Sequence, residues 1–227
     1  MVEEQARRTW LDERRAAVRA DYDADASTYD DELYPATSHR SFVERLLATC
    51  PPGGIVLDAP CGTGQYFALV AAVGRRVVGI DQSAGMLAQA RARGIAVALH
   101  QAGLQELAFD CEFDAAMTVD AMENVFPEDW PAVLANLRRA VRPGGHLYLT
   151  VEEVAETLID AAFADLSSRG LPVVRGEVTE GDVAGYHYYP GRDQVARWLE
   201  AVGLAIVDHD TEAIEDWGYW HLLLHAA

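Results

Sequence analysis

Two carboxylates and a glycine pair stand at a spacing that suits a nucleoside. The run Val56-Leu57-Asp58-Ala59-Pro60-Cys61-Gly62-Thr63-Gly64-Gln65-Tyr66 starts as a short apolar strand and breaks into glycines. Glycine permits a sharp strand-to-helix turn and close approach of backbone to a ligand. Asp81 follows about 20 residues later, at the end of Val77-Val78-Gly79-Ile80, where a carboxylate can accept from both hydroxyls of a ribose. The pair implies an adenosine-containing cofactor. A dinucleotide loop wants a third glycine at position 67 for close helix packing, and Phe67 stands there, so a pyrophosphate is not the expected ligand.

Other residues are candidates for acting on a bound molecule. Glu123, in Asp120-Ala121-Met122-Glu123-Asn124, could orient an amine or take a proton. His187, in Tyr186-His187-Tyr188-Tyr189, is the candidate base; strand alternation would turn Tyr186 and Tyr188 to one face and His187 and Tyr189 to the other. Tyr186, Tyr188 and Tyr22 are the candidate acceptor contacts. Each has a plainer alternative: a solvated carboxylate, a hydrogen-bonded packing histidine, aromatics buried for area. Trp217, Trp220, His221 and His225 read as structural or hairpin-surface residues. The chain contains no lysine, which excludes any mechanism that needs one.

Strand and helix alternate around these residues. Apolar runs at 55–57, 77–80, 95–99, 115–119 and 147–151 read as strands buried on both faces. Helix-length segments at 65–73, 84–93 and 129–141 separate them, the last stopped by Pro143-Gly144-Gly145. A charged helical lead-in covers about 3–20, and an amphipathic helix covers His39 to Thr49. After a helix at 193–201, strands at 204–208 and 219–225 are joined by too short a polar link for a parallel crossover, so they should pair antiparallel. The expected fold is α/β: a doubly wound, mostly parallel seven-stranded sheet with a C-terminal antiparallel hairpin, helices on both faces and an N-terminal helical cap. The 227 residues suit one domain, divided as 1–50 cap, 51–152 cofactor-binding core, 153–190 variable substrate-covering region and 191–227 C-terminal helix and hairpin.

The loop and its surroundings resemble the class I, seven-stranded S-adenosylmethionine-dependent methyltransferases, in the small-molecule branch that includes the ubiquinone/menaquinone methyltransferases. The resemblance rests on Leu57-Asp58-Ala59-Pro60-Cys61-Gly62-Thr63-Gly64, on Val78-Gly79-Ile80-Asp81-Gln82-Ser83-Ala84-Gly85-Met86-Leu87, on Phe113-Asp114, and on Leu137-Arg138-Arg139-Ala140-Val141-Arg142-Pro143-Gly144-Gly145. It implies that the loop at Asp58, Ala59, Cys61, Gly62 and Gly64 holds the amino-acid end of S-adenosylmethionine. Asp81 would bind the ribose, Gln82 and Met86 would flank the adenine, and the backbone at Leu104 would meet its edge. Asp120 would sit beside the sulfonium and face the acceptor, and Tyr29 would touch the methionine carboxylate. Two departures stand out: Pro60 where the family's loop has its first glycine, and Gly103 where the family has an acidic residue on the adenine amino group.

The resemblance implies methyl transfer to an oxygen, nitrogen or carbon of a small acceptor. Its rivals are a non-catalytic cofactor-binding partner subunit and a nicotinamide-dependent reductase. A formal net charge of -18 repels phosphate backbones and anionic lipid, so neither nucleic acid nor membrane is an expected partner. Cys50, Cys61 and Cys111 show no CxxC spacing and no nearby histidine pair, so no metal site and no disulfide framework is expected. The charged N-terminus and the lack of an apolar run of about 18 residues point to a cytoplasmic protein, a monomer or homodimer.

Overall fold

The computed structural model describes residues 2–32, 37–179, 185–214 and 216–227. Parts of the expected cap (1 and 33–36) and of the substrate-covering region (180–184) lie outside the described residues. The strands are β1 Ile55–Asp58, β2 Arg76–Asp81, β3 Ala98–Gln101, β4 Phe113–Thr118, β5 Val141–Val154, β6 Glu177–Thr179, β7 Tyr186–Tyr188, β8 Leu204–Ile214 and β9 Trp217–Ala226. The helices are α1 Val2–Asp25, α2 Tyr29–Glu32, α3 Thr37–Thr49, α4 Phe67–Ala72, α5 Ala84–Ala92, α6 Trp130–Ala140, α7 Glu156–Ser168 and α8 Arg192–Ala201.

Seven strands form one sheet in the order β3-β2-β1-β4-β5-β9-β8, and β6 pairs with β7 beside it. The first five run parallel; β9 is antiparallel to both β5 and β8. Strand alternation divides the core between two faces. Val56, Val77, Ala115, Met117 and Tyr148 pack with α3, α4 and α5. Their neighbours Leu57, Val78, Ala116, Leu147 and Leu149 pack with α1, α6 and α8. A period of two buried on both faces is what a helix-covered parallel sheet demands.

The two edge strands are where the apolar runs mislead. β3 begins at Ala98, three residues beyond the start of its apolar run, and β8 continues to Ile214 through the polar segment His209-Asp210-Thr211-Glu212. An edge strand with exposed faces needs no apolar alternation, so its sequence carries little of the signal. β5 starts at Val141 and takes in Pro143-Gly144-Gly145, which bulges where Phe113 pairs with Val141 and Ala115 with His146.

Candidate functional site

A cavity of about 650 Å³ opens at the carboxyl ends of the parallel strands, where the strand order reverses between β1 and β4. That crevice is where open α/β sheets bind ligands. Backbone bonds hold its floor: Ala59 N donates to Met117 O (3.0 Å) and Cys61 N to Ile80 O (2.7 Å), fastening the loop after β1 to both neighbouring strands. Gly62, at φ +51°, faces the cavity, and a Cβ there would meet nothing within 4 Å. At Gly64, φ +81°, a Cβ would lie 2.6 Å from the buried Phe67 ring. Phe67 therefore fills the space under the loop that close helix packing would otherwise need.

Asp58 ends β1 with its carboxylate buried, and its Oδ2 accepts no hydrogen bond. Burial pushes this carboxyl well above the usual carboxylate range, and Asp81 adds repulsion. Asp81 ends β2 and accepts from Gly62 N (2.9 Å) and Ser83 N (2.8 Å), one bond to each oxygen. Each oxygen keeps a further lone pair for a ligand hydroxyl. Cys61, Gln82, Met86 and Leu104 line the same end of the cavity; Ala59 and Gly64 lie beneath it as loop framework. Ala102 and Gln105 join them, residues on the turn after β3 that sequence reasoning did not single out.

The other end is acidic and aromatic. Asp120 follows β4 and opens onto the cavity while protein surrounds its other sides; its backbone N donates to Thr150 Oγ1 (2.7 Å), and the Tyr219 hydroxyl donates to its Oδ1. Burial raises the Asp120 carboxyl, and the Tyr219 bond and the charge of His187 oppose the rise. Glu123 lies behind it, 5% exposed, with Oε1 taking a bond from Asn124 Nδ2 (2.9 Å) and Oε2 accepting none. Burial, then repulsion from Asp120 and Glu152, holds Glu123 well above the carboxylate range. One carboxylate oxygen each from Asp120, Glu123 and Glu152 converge to within 4.8 Å of one another. Glu152, on β5, was not singled out from the sequence; lying at the end of the strand beside β4, it could have been.

The N-terminal cap closes over this floor. Asp23, near the end of α1, accepts from Ser83 Oγ (2.6 Å) and Gly85 N (2.9 Å), docking α1 onto the start of α5. Asp30 accepts from Thr63 Oγ1 (2.5 Å) and Arg93 Nη2 (2.5 Å), tying α2 to the glycine loop. Tyr29 and Tyr22 thereby line the cavity, edge to face at 6.0 Å, and Asn124 Nδ2 donates to the Tyr22 hydroxyl (3.3 Å).

Asp58 and Glu123 are buried just outside the cavity lining, and three further candidates do not line it either. Tyr186 is fully buried and donates to Glu177 Oε1 (2.7 Å), in a network where Arg7 donates to both Glu177 oxygens at 2.7 Å. Tyr188 is buried in the same core and packs its ring against Gly176. These two rings join β7 to α1 and β6 and are not placed to contact an acceptor. His187 does not line the cavity either; its Nδ1 lies 3.0 Å from the Tyr189 hydroxyl, and its charge acts on Asp120. Conversely, Trp217, read as a structural or hairpin-surface residue, lines the cavity, as does Tyr219, which sequence reasoning did not single out; the antiparallel register sets Tyr219 opposite Glu152 at the end of β5.

Known proteins share this fold and parts of this sequence. The methyltransferase domain family matches residues 56–145. A demethylmenaquinone methyltransferase of Corynebacterium kroppenstedtii is 32% identical over 162 residues, covering 67% of this chain and 68% of the relative. A malonyl-[acyl-carrier protein] O-methyltransferase of Serratia marcescens is 34% identical over 135 residues, 58% of this chain and 51% of that protein, so the chain matches about half of that relative's length. Among solved structures, the 1,6-didemethyltoxoflavin-N1-methyltransferase of Burkholderia thailandensis, with 1,6-didemethyltoxoflavin and S-adenosylhomocysteine bound, superposes at a TM-score of 0.69 and 18% identity, covering 93% of this chain and 88% of that one.

Proposed function

This chain belongs to the methyltransferase domain family, and from that membership we propose that it moves a methyl group from S-adenosylmethionine to a small organic acceptor held in the 650 Å³ cavity. The observation that carries the reading is the buried Asp58 Oδ2, which accepts no hydrogen bond, beside Asp81 at the ends of adjacent parallel strands. A buried carboxylate oxygen without a partner is costly, and an ammonium donor would satisfy it. The α-amino group of the cofactor is such a donor.

The residues present fit that cofactor. Asp58, with Ala59, Cys61, Gly62 and Gly64 shaping the loop, would take the amino-acid end under Tyr29. Asp81 would accept from the ribose hydroxyls with the lone pairs that Gly62 N and Ser83 N leave open. Gln82, Met86 and the Leu104 backbone would enclose the base, with Ala102 and Gln105 where the family's acidic contact is absent. When bound, the cofactor supplies an electrophilic methyl on a sulfonium. The protein's share is alignment and exclusion of water, which can supply much of the acceleration of an in-line displacement. Asp120 faces the acceptor's side of the cavity, Tyr22 and Tyr219 wall it, and Glu123, whose carboxyl burial holds above the usual range, stands behind Asp120 as a group that could orient an amine.

The four-part division of the chain into cap, cofactor-binding core, covering region and C-terminal hairpin follows this reading. A monomer or homodimer in a reducing cytoplasm, not bound to nucleic acid, completes it, supported by the charge of -18 and by three free cysteines. Among the described residues no helix is long and apolar enough to cross a membrane.

Calorimetric titration with S-adenosylhomocysteine tests the proposal, with NADH as control. Micromolar binding of the former, weakened at least about tenfold (~1.4 kcal/mol) by Asp81→Ala, is expected. Binding of NADH instead, or of neither, would overturn it.

A further inference from the structure

We propose that the acceptor carries a protonated amine, seated by Asp120, Glu123 and Glu152. The inference rests on the methyltransferase reading and names the substrate class of that same site. Three carboxylate oxygens within 4.8 Å of one another share a centre no more than about 2.8 Å from each, the length of a charge-assisted N–H···O bond. Carboxylates crowded this way hold a proton or draw a counter-charge, and the charge of His187 already acts on Asp120. Glu123 is nine-tenths buried with Oε2 accepting nothing, and Asp120 alone of the three lines the cavity, so a donor from the cavity reaches the cluster past Asp120.

The cavity beside the cluster repeats the preference. Among the described residues its basic side chains are Arg15 and His39. Arg15 is engaged with Asp129 at 2.7 Å and Asp12 at 3.3 Å. Burial holds His39 down at about 4, leaving it neutral. Glu212 adds a further carboxylate to the wall. An anionic acceptor would find no uncommitted cation in this wall. Tyr22, Tyr29, Tyr66, Phe126, Trp217 and Tyr219 supply aromatic faces, which attract organic cations. Hard divalent metals instead take six or more oxygen ligands, several of them water. Here Tyr219 and Asn124 already occupy lone pairs of Asp120 and Glu123, and the neighbouring wall is aromatic, so an ammonium suits the cluster better.

Calorimetry on the S-adenosylhomocysteine-loaded protein distinguishes the outcomes, using tyramine, its alcohol counterpart tyrosol and its acid counterpart 4-hydroxyphenylacetate. Tyramine should bind at least tenfold tighter than tyrosol and the acid should not bind. Glu123→Gln, an isosteric change, should erase most of that preference while S-adenosylhomocysteine still binds within about twofold. Equal or tighter binding of tyrosol or the acid, binding of none of the three, or an undiminished preference in the variant would each overturn the proposal. So would saturable Mn²⁺ binding that Glu123→Gln abolishes, which would make the cluster a metal site. So, too, would loss of S-adenosylmethionine affinity relative to S-adenosylhomocysteine in the variant without an amine preference in the wild type, which would assign the charge to the cofactor. A wild type that binds S-adenosylhomocysteine without amine preference sinks this inference alone, whereas failure to bind S-adenosylhomocysteine sinks the methyltransferase reading beneath it.

Discussion

Glu123 and Asp58 each bury a carboxylate oxygen that accepts no hydrogen bond, and burial raises both carboxyls well above their usual range. Such a group binds its proton more tightly in the folded chain than in the unfolded one. Its contribution to stability is therefore fully present below the unfolded value, near pH 4, and is lost as pH rises through the folded one. Glu123→Gln removes the titration while keeping the shape and the Asn124 contact. The variant should match the wild type in urea denaturation at pH 4 and exceed it at pH 8, by on the order of 1 kcal/mol for each pH unit of the rise that pH 8 spans. A variant equally stable or weaker at pH 8 would show that Glu123 is already compensated. Perturbed carboxyls gather where a site needs them, so the same substitution is expected to stabilise the fold and to lose the ligand. Asp58, Gly62 and Asp81 were legible because one short run and one strand end hold them. The partnership of Asp120 with Glu152 and Tyr219 was not, because β4, β5 and β9 bring together residues up to 99 positions apart, as in the Tyr219–Asp120 bond.

Elements differ in how openly the sequence declares them. The central strands announce themselves because both faces are buried, and the antiparallel end follows from a connection too short to cross over. Edge strands β3 and β8 do not, being freed from apolar alternation by exposure. The cap is an intermediate case: Tyr29 was visible through the family resemblance, but its anchor Asp30 was not, since an exposed aspartate looks the same with or without partners. Asp30 links α2 to Thr63, in the glycine loop, and to Arg93, just past α5. Asp30→Ala should therefore release Tyr29 from its place over the loop. Affinity for S-adenosylhomocysteine is expected to fall about tenfold (~1.4 kcal/mol), while the denaturation midpoint moves little, since half-exposed pairs such as Asp30–Arg93 contribute about 0–1 kcal/mol. Unchanged affinity in titration calorimetry would show that the cap does not hold the cofactor. An equal loss of stability would make α2 simply part of the core.

At the scale of the whole molecule, 36 carboxylates face 18 arginines, and two opposite effects of salt compete. Screening weakens ion pairs such as Arg15–Asp129 at 2.7 Å and Arg45–Asp208 at 2.9 Å. It also weakens the mutual repulsion of the uncompensated -18. Contact pairs act over a few ångströms, well inside the Debye length of about 10 Å at 0.1 M, and surface pairs contribute about 0–1 kcal/mol each. The net repulsion sums over distances longer than that length and is screened first. Repulsion should therefore dominate the response, and sodium chloride should stabilise the fold. Raising it from about 0.02 to 0.3 M, which shortens the Debye length from roughly 20 to roughly 6 Å, is expected to raise Tm by about 2–4 °C, the response of a chain this size to roughly 1 kcal/mol. Differential scanning calorimetry at pH 7.5 checks it. A fall in Tm would mean that the ion-pair network, and not the net charge, governs the electrostatics of this fold. The same field draws a cation toward the mouth of the cavity, so amine association should slow as salt rises even while the fold becomes more stable.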